Sequence, residues 1–179
     1  MRLIRSQGFN ATGISQILAE SGVPKGSLYH HFPMGKIELT VSAIRLANKS
    51  ILSHLNQLND ASSSAVEVVK LYFDYYVSEL EQGDYENGCP IATVTLEAAA
   101  QVQSIQIECE ATFDQMQEFA ESLLIHDGIP EHKAPSIALN IIAGLQGALL
   151  MSKAKRSTQP LATMRDNLIQ QIQETIPLN

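Results

Sequence analysis

Two cysteines are all that this 179-residue chain holds, and neither belongs to a C-x-x-C pair. Cys89 and Cys109 therefore offer no zinc ribbon and no thioredoxin-like dithiol, and reduced thiols are expected. His54, His126 and His132 show no H-x-x-x-H or carboxylate spacing, so no metal site is expected. A G-x-S-x-G elbow and a glycine-rich phosphate loop are both missing, which leaves no catalytic motif and no expected cofactor. No apolar run reads as long enough to cross a bilayer, and the N-terminus lacks the basic, then apolar, then small-residue order of a signal peptide. A cytoplasmic address without a membrane partner is the expectation. Alternating strand patterning is confined to residues 91–96, and no internal repeat or low-complexity tract occurs.

Positive charge is scarce too, and its placement matters. The formal charge is −7, which argues against nucleic-acid binding if the chain is treated as one body. Residues 1–36, however, hold Arg2, Arg5, Lys25 and Lys36 against Glu20 alone. The remainder is strongly acidic. A small basic head on an acidic body is the pattern.

What the sequence has in quantity is helical periodicity, and 45% hydrophobic residues to fill a core. An all-α fold is expected. The first helix ends near Gln7 with Gly8 as its stop, and it reads as short, so residues upstream of Met1 are expected to be missing. Thr12 is expected to cap a second helix carrying Ile14, Ile17 and Leu18, which stops at Gly22. Pro24 starts a third, whose Leu28 and Phe32 lie at an i, i+4 interval. A long helix is expected over 36–58, then others over 66–80, 91–100, 104–125, 136–154 and 161–176. The domain boundary is expected after residue 35, dividing 1–35 from 36–179.

The stretch GISQILAESGVPKGSLYHHF, residues 13–32, joins two helices by a tight glycine turn. Its second helix carries Lys25, Ser27, Tyr29, His30 and His31 away from Leu28 and Phe32. That is the layout of a helix-turn-helix reader of the DNA major groove, although helix pairs with glycine turns also occur in proteins that never meet DNA. Lys25 and Lys36 offer charge to phosphates. Tyr29 offers a hydroxyl and a ring, and the imidazoles of His30 and His31 offer donors. Gly26 leaves backbone bare for close approach, and Thr12 stands at a helix N-terminus, which attracts phosphate.

The wording GFNATGISQILAESGVPKGSLYHHFPMGKIEL, residues 8–39, closely resembles the DNA-binding domain of the tetracycline-repressor (TetR) family. GCPIATVTLEAA at 88–99 and GLQGALLMSKAKRSTQPL at 144–161 look like its LmrA/YxaF-type subgroup. The resemblance implies a three-helix DNA-binding head, a helical ligand-binding and dimerisation body, a homodimer, and a repressor released from operator DNA by a small molecule. It places Thr12, Lys25, Gly26, Ser27, Tyr29, His30, His31 and Lys36 at positions that commonly meet DNA. Two departures stand out: the first helix lacks its usual N-terminal turns, and HFPMGK has one residue more than the commonest spacing.

In the body, Tyr72, Phe73, Tyr76, Cys89, Thr93, Glu97, Phe113, Met116 and Gln117 are the candidates for a pocket with apolar walls and a few polar anchors, for an apolar or aromatic inducer. Each is also an ordinary choice for core packing. The helix over 137–151 is apolar on nearly every face, as a helix buried from two sides requires. Ala143, Gly144, Gly147, Ala148 and Met151, with Leu161, Met164, Leu168 and Ile172 of the last helix, are the candidates for a four-helix dimer interface. A buried core helix has the same pattern. The rival functions are a thiol-based redox sensor using Cys89, placed before Pro90 at a helix N-terminus, and a small-molecule enzyme, for which no motif speaks.

Overall fold

The computed structural model describes residues 2–176. The side chains of Arg2, Arg5 and Ser6 lie outside that description, and with them half of the basic residues counted in the head. No strand occurs among the described residues. The helices are α1 (Arg2–Ala11), α2 (Ile14–Ser21), α3 (Lys25–His31), α4 (Lys36–Ala61), α5 (Ala65–Gln82), α6 (Pro90–Val94), α7 (Gln103–His126), α8 (Ala134–Lys155) and α9 (Gln159–Thr175). A π-helical turn, Thr95–Ala99, continues α6. The chain divides into two compact units, one built from Met1–Ser50 with Cys89–Thr112 and the other from Ile51–Gly88 with Phe113–Asn179.

In the first unit, α1 is two helical pieces joined at Gly8, whose φ of 87° is outside the helical range. A side chain on Gly8 would collide with the carboxylate of Glu97. The expected cap by Thr12 is not formed. Gly13 occupies the N-cap of α2 without a side-chain bond, while the buried Thr12 hydroxyl donates to the Gly8 carbonyl at 2.6 Å. The reason is the break at Gly8, which frees a carbonyl that needs a donor. Gly22, with φ of 66°, ends α2 and donates to Leu18.

At seven residues α3 is too short to be stable alone. It is held by Leu28, which is 6% exposed and whose burial is worth about 2 kcal/mol, and by half-buried Phe32. The α6 segment bends into its π turn where Thr93 and Thr95 donate back to the carbonyls of Cys89 and Ile91, at 3.0 and 2.8 Å. Such back-bonding competes with the regular ladder.

In the second unit, side chains close the start of α5. Ser64 Oγ accepts from the Glu67 N–H at 3.3 Å, and the Glu67 carboxylate accepts from the Ser63 N–H at 2.8 Å. Phe73, Met116, Leu124, Leu145, Leu161 and Ile172 are wholly buried in its core. The last helix packs on α8 and α5. At Gly144 the approach of α9 is so close that a methyl group would stand 2.9 Å from Met164 Sδ.

One expectation is corrected here. The α8 helix is long and apolar enough to cross a membrane by length and composition. Asn140, Gln146 and Ser152 interrupt its apolar run in sequence without lowering its mean hydropathy below that of a span. In the fold it serves as a packing helix, with Ile137, Ala138, Ile141, Leu145 and Leu149 buried.

Candidate nucleic-acid interface and ligand-binding body

Helix α3 puts its candidates at i, i+4 intervals, Lys25 with Tyr29 and Gly26 with His30, so that they form adjoining rows away from Leu28. Lys25, Gly26, His30 and His31 are exposed, Ser27 is half-buried, and Tyr29 is 41% exposed. His30 and His31 meet edge to face with ring centroids 5.1 Å apart. Nothing lies within 4 Å of where a side chain on Gly26 would begin. A bare stretch of backbone therefore sits among a cation, a phenol and two imidazoles, which suits contact with phosphate oxygens and base edges.

Two further candidates stand elsewhere. Thr12 is fully buried, and its hydroxyl also accepts from Gln7 Nε2 at 3.3 Å. Its backbone N–H is spent on the Phe9 carbonyl. Thr12 thus braces the turn from α1 to α2 and presents no group to a ligand. Lys36 lies with Nζ 4.2 Å from the centre of the Phe9 ring and donates to the Asn10 carbonyl at 3.4 Å. Its cation is engaged in holding α1 to the start of α4.

The nine pocket candidates fall in both units. Cys89, Thr93 and Glu97 belong to the first unit; Tyr72, Phe73, Tyr76, Phe113, Met116 and Gln117 belong to the second. Cys89, Phe73 and Tyr76 are buried as core. Thr93 spends its hydroxyl on the Cys89 carbonyl, and Gln117 pairs with Glu121 at 2.9 Å. Phe113 is half-buried. Glu97 accepts the Asn10 N–H at 2.7 Å, so it is a tie to α1 rather than a pocket anchor. Tyr72 and Met116 line a small apolar space of about 20 Å³. The second unit also contains an open cleft of about 450 Å³ around Asn59, Ser62 and Ser122, which sequence reasoning missed. The serine tract 62–64, between the helices expected over 36–58 and 66–80, supplies part of its lining.

The dimer candidates also divide. Ala148, Leu161, Leu168 and Ile172 are buried against the protein's own helices. Gly144 and half-buried Met164 face each other. The four buried ones have little surface left for a second copy, whereas Gly144 and Met164 keep part of theirs. Ala143, Gly147 and Met151 are exposed, joined on α8 by Leu139 and Leu150, 54% and 63% exposed. An apolar stripe shows that a face is covered, not by which molecule. The proposed thiol sensor meets a similar obstacle. Cys89 and Cys109 are thiols with 2% exposure each, and burial, ahead of an opposing hydrogen bond with Thr95, pushes the Cys109 thiol above its ordinary value.

Residues 1–43 match the family model described as bacterial regulatory proteins, tetR family. Residues 65–167 match that of the LmrA/YxaF-like C-terminal domain of transcriptional regulators. An uncharacterized HTH-type transcriptional regulator of Mycobacterium tuberculosis is 32% identical over 89% of this chain and 82% of its own. YxaF of Bacillus subtilis, also uncharacterized, is 30% identical over 93% and 87%. LmrA of the same organism, an HTH-type transcriptional regulator, is 26% identical over 89% and 85%. Among solved structures, a TetR transcriptional regulator from Legionella pneumophila superposes with a TM-score of 0.84 at 24% identity, covering 95% of this chain and 91% of that one. A regulatory protein TetR from Rhodobacter sphaeroides does so with 0.85 at 20%, covering 94% and 92%.

Proposed function

Because this chain belongs to the tetR family of bacterial regulatory proteins, we propose that it is a cytoplasmic repressor that binds operator DNA through α3 and is released by a small molecule. Residues 1–35 form the DNA-binding part of this reading and residues 36–179 the ligand and dimer part. The observation that carries it is the outer surface of α3, where Lys25, Gly26, Tyr29 and His30 stand exposed on a helix anchored by buried Leu28. Ser27 and His31 complete that surface. Its relatives and its fold are those of transcriptional regulators, and no catalytic role is proposed.

The protein acts as a twofold dimer through the uncovered face of α8, with Leu139, Ala143, Gly147, Leu150 and Met151 meeting their counterparts. Two copies of α3 then address half-sites about 34–36 Å apart. The inducer binds the conformation in which that spacing is wrong more tightly than the one in which it is right.

Release is the test. A duplex selected from a random pool binds the purified protein, and a compound that raises the melting temperature dissociates it. A stabilising ligand that tightens the hold on the duplex contradicts the repressor assignment.

A further inference from the structure

Between α3 and α4 the chain turns through Pro33, Met34 and Gly35, the stretch in which HFPMGK carries its extra residue. Both backbone groups of Gly35 are used there. Its N–H donates to the Phe32 carbonyl at 2.8 Å, and its carbonyl accepts the Leu39 N–H at 3.1 Å as α4 begins. The Glu38 carboxylate accepts the Met34 N–H at 3.0 Å. These three bonds lock the corner with Gly35 at φ of 64°, a left-handed conformation that costs glycine nothing.

Gly35 is buried, although Met34 beside it is 70% exposed. The side chains nearest to it come from two other helices. A methyl group placed on Gly35 would stand 3.4 Å from Tyr29 Cε1 of α3 and 3.4 Å from Ile14 Cδ1 of α2. The bare backbone of the corner therefore backs onto one edge of the Tyr29 ring, whose remainder leaves the residue 41% exposed. An exposed side chain without such support samples several rotamers, and ordering it in an interface costs affinity. Support from hydrogen-bonded backbone is firmer than support from another side chain, which has rotamers of its own.

We infer that Gly35 is a positioning residue for Tyr29 in the DNA contact. By leaving backbone bare at a left-handed corner, it lets the ring lie back against the start of α4 and holds it in one orientation before a duplex arrives. Its role rests on the reading of α3 as the helix that meets DNA, whereas the packing of ring on corner requires no DNA.

The test joins a spectrum to a double-mutant cycle, both on the full chain. In carbon–proton spectra of protein labelled on tyrosine, the Tyr29 ring signal is assigned by its loss in Tyr29→Ala. Without DNA it shifts in Gly35→Ala and in Gly35→Asn. Asparagine tolerates the left-handed conformation, so Gly35→Asn keeps the corner and puts an amide where the ring edge lies. Against a selected duplex, Gly35→Asn weakens binding at least about tenfold beside Tyr29, and less than about twofold once Tyr29 is alanine. A merely structural corner weakens both backgrounds alike. Gly35→Ala, whose methyl only touches the ring, gives the same pattern at about threefold and carries the cycle if the asparagine variant melts too low. An unmoved ring signal, equal losses in both backgrounds, or full affinity in Gly35→Asn overturns the positioning role and leaves the α3 reading standing. Full affinity in folded Tyr29→Ala overturns the α3 reading and the role with it.

Discussion

The Glu97 carboxylate accepts the backbone N–H of Asn10 at 2.7 Å, while Lys36 Nζ reaches the carbonyl of the same residue at 3.4 Å. The peptide groups on both sides of Asn10 are thereby held, one by the π turn after α6 and the other by the first residue of α4. Since α1 leads through Thr12 into α2, any shift of the π turn reaches the helix pair that α3 completes. π turns often mark functional sites.

Gly8→Ala tests that tie. The new side chain meets the Glu97 carboxylate, and φ of 87° is strained for alanine. The expected cost is about 1–3 kcal/mol, read by denaturant melting, with weakened operator binding. Glu97→Ala loses the bond to Asn10 at a cost of about 1 kcal/mol.

Leu28 and Tyr29 are neighbours with opposite duties. Leu28→Ala, emptying a site that is 6% exposed, should cost about 2–4 kcal/mol of stability. Tyr29→Ala, by contrast, should change stability by less than about 0.5 kcal/mol. Equal losses in thermal melts would mean that Tyr29 is core.

Leu150 is 63% exposed on α8, and a charge there belongs in no apolar interface. Leu150→Glu is expected to sediment as a monomer with helical content unchanged. A dimer that survives it uses another surface.

Asp74 accepts from Lys70 at 2.8 Å and from Arg165 of α9. Burial opposes its charge, but these bonds outweigh burial and hold its carboxyl below the ordinary value of 3.8. A lowered folded value means stability that is present above pH 3.8 and lost as pH falls through the folded value. Asp74→Asn should therefore cost about 1 kcal/mol at neutral pH, a modest figure because the pair is partly solvated. The difference should vanish in acid melts.

Both thiols are buried, so neither should react with a thiol reagent or peroxide until the protein unfolds. Rapid labelling of native Cys89 would revive the redox reading.

The helices were legible because their ends are written locally. Gly22 stops α2, Pro24 precedes α3, and Ser64 with Glu67 starts α5. Contacts between distant segments were not. Glu97 sits on an apolar-rich segment and resembles a pocket anchor until its partner, 87 residues away, is known. Thr12 has the sequence of a cap, but the break at Gly8 captured its hydroxyl. Periodicity identified the apolar stripe of α9 without revealing that α5 and α8 of the same chain cover it.

Fluorescence-anisotropy titration of wild type and Tyr29→Ala against a selected duplex, over a range of salt, bears most directly on the claim that α3 reads DNA. The wild type should bind with an affinity that falls steeply as salt rises, and Tyr29→Ala should lose at least about tenfold while keeping its fold. Undiminished binding by the folded variant would contradict it.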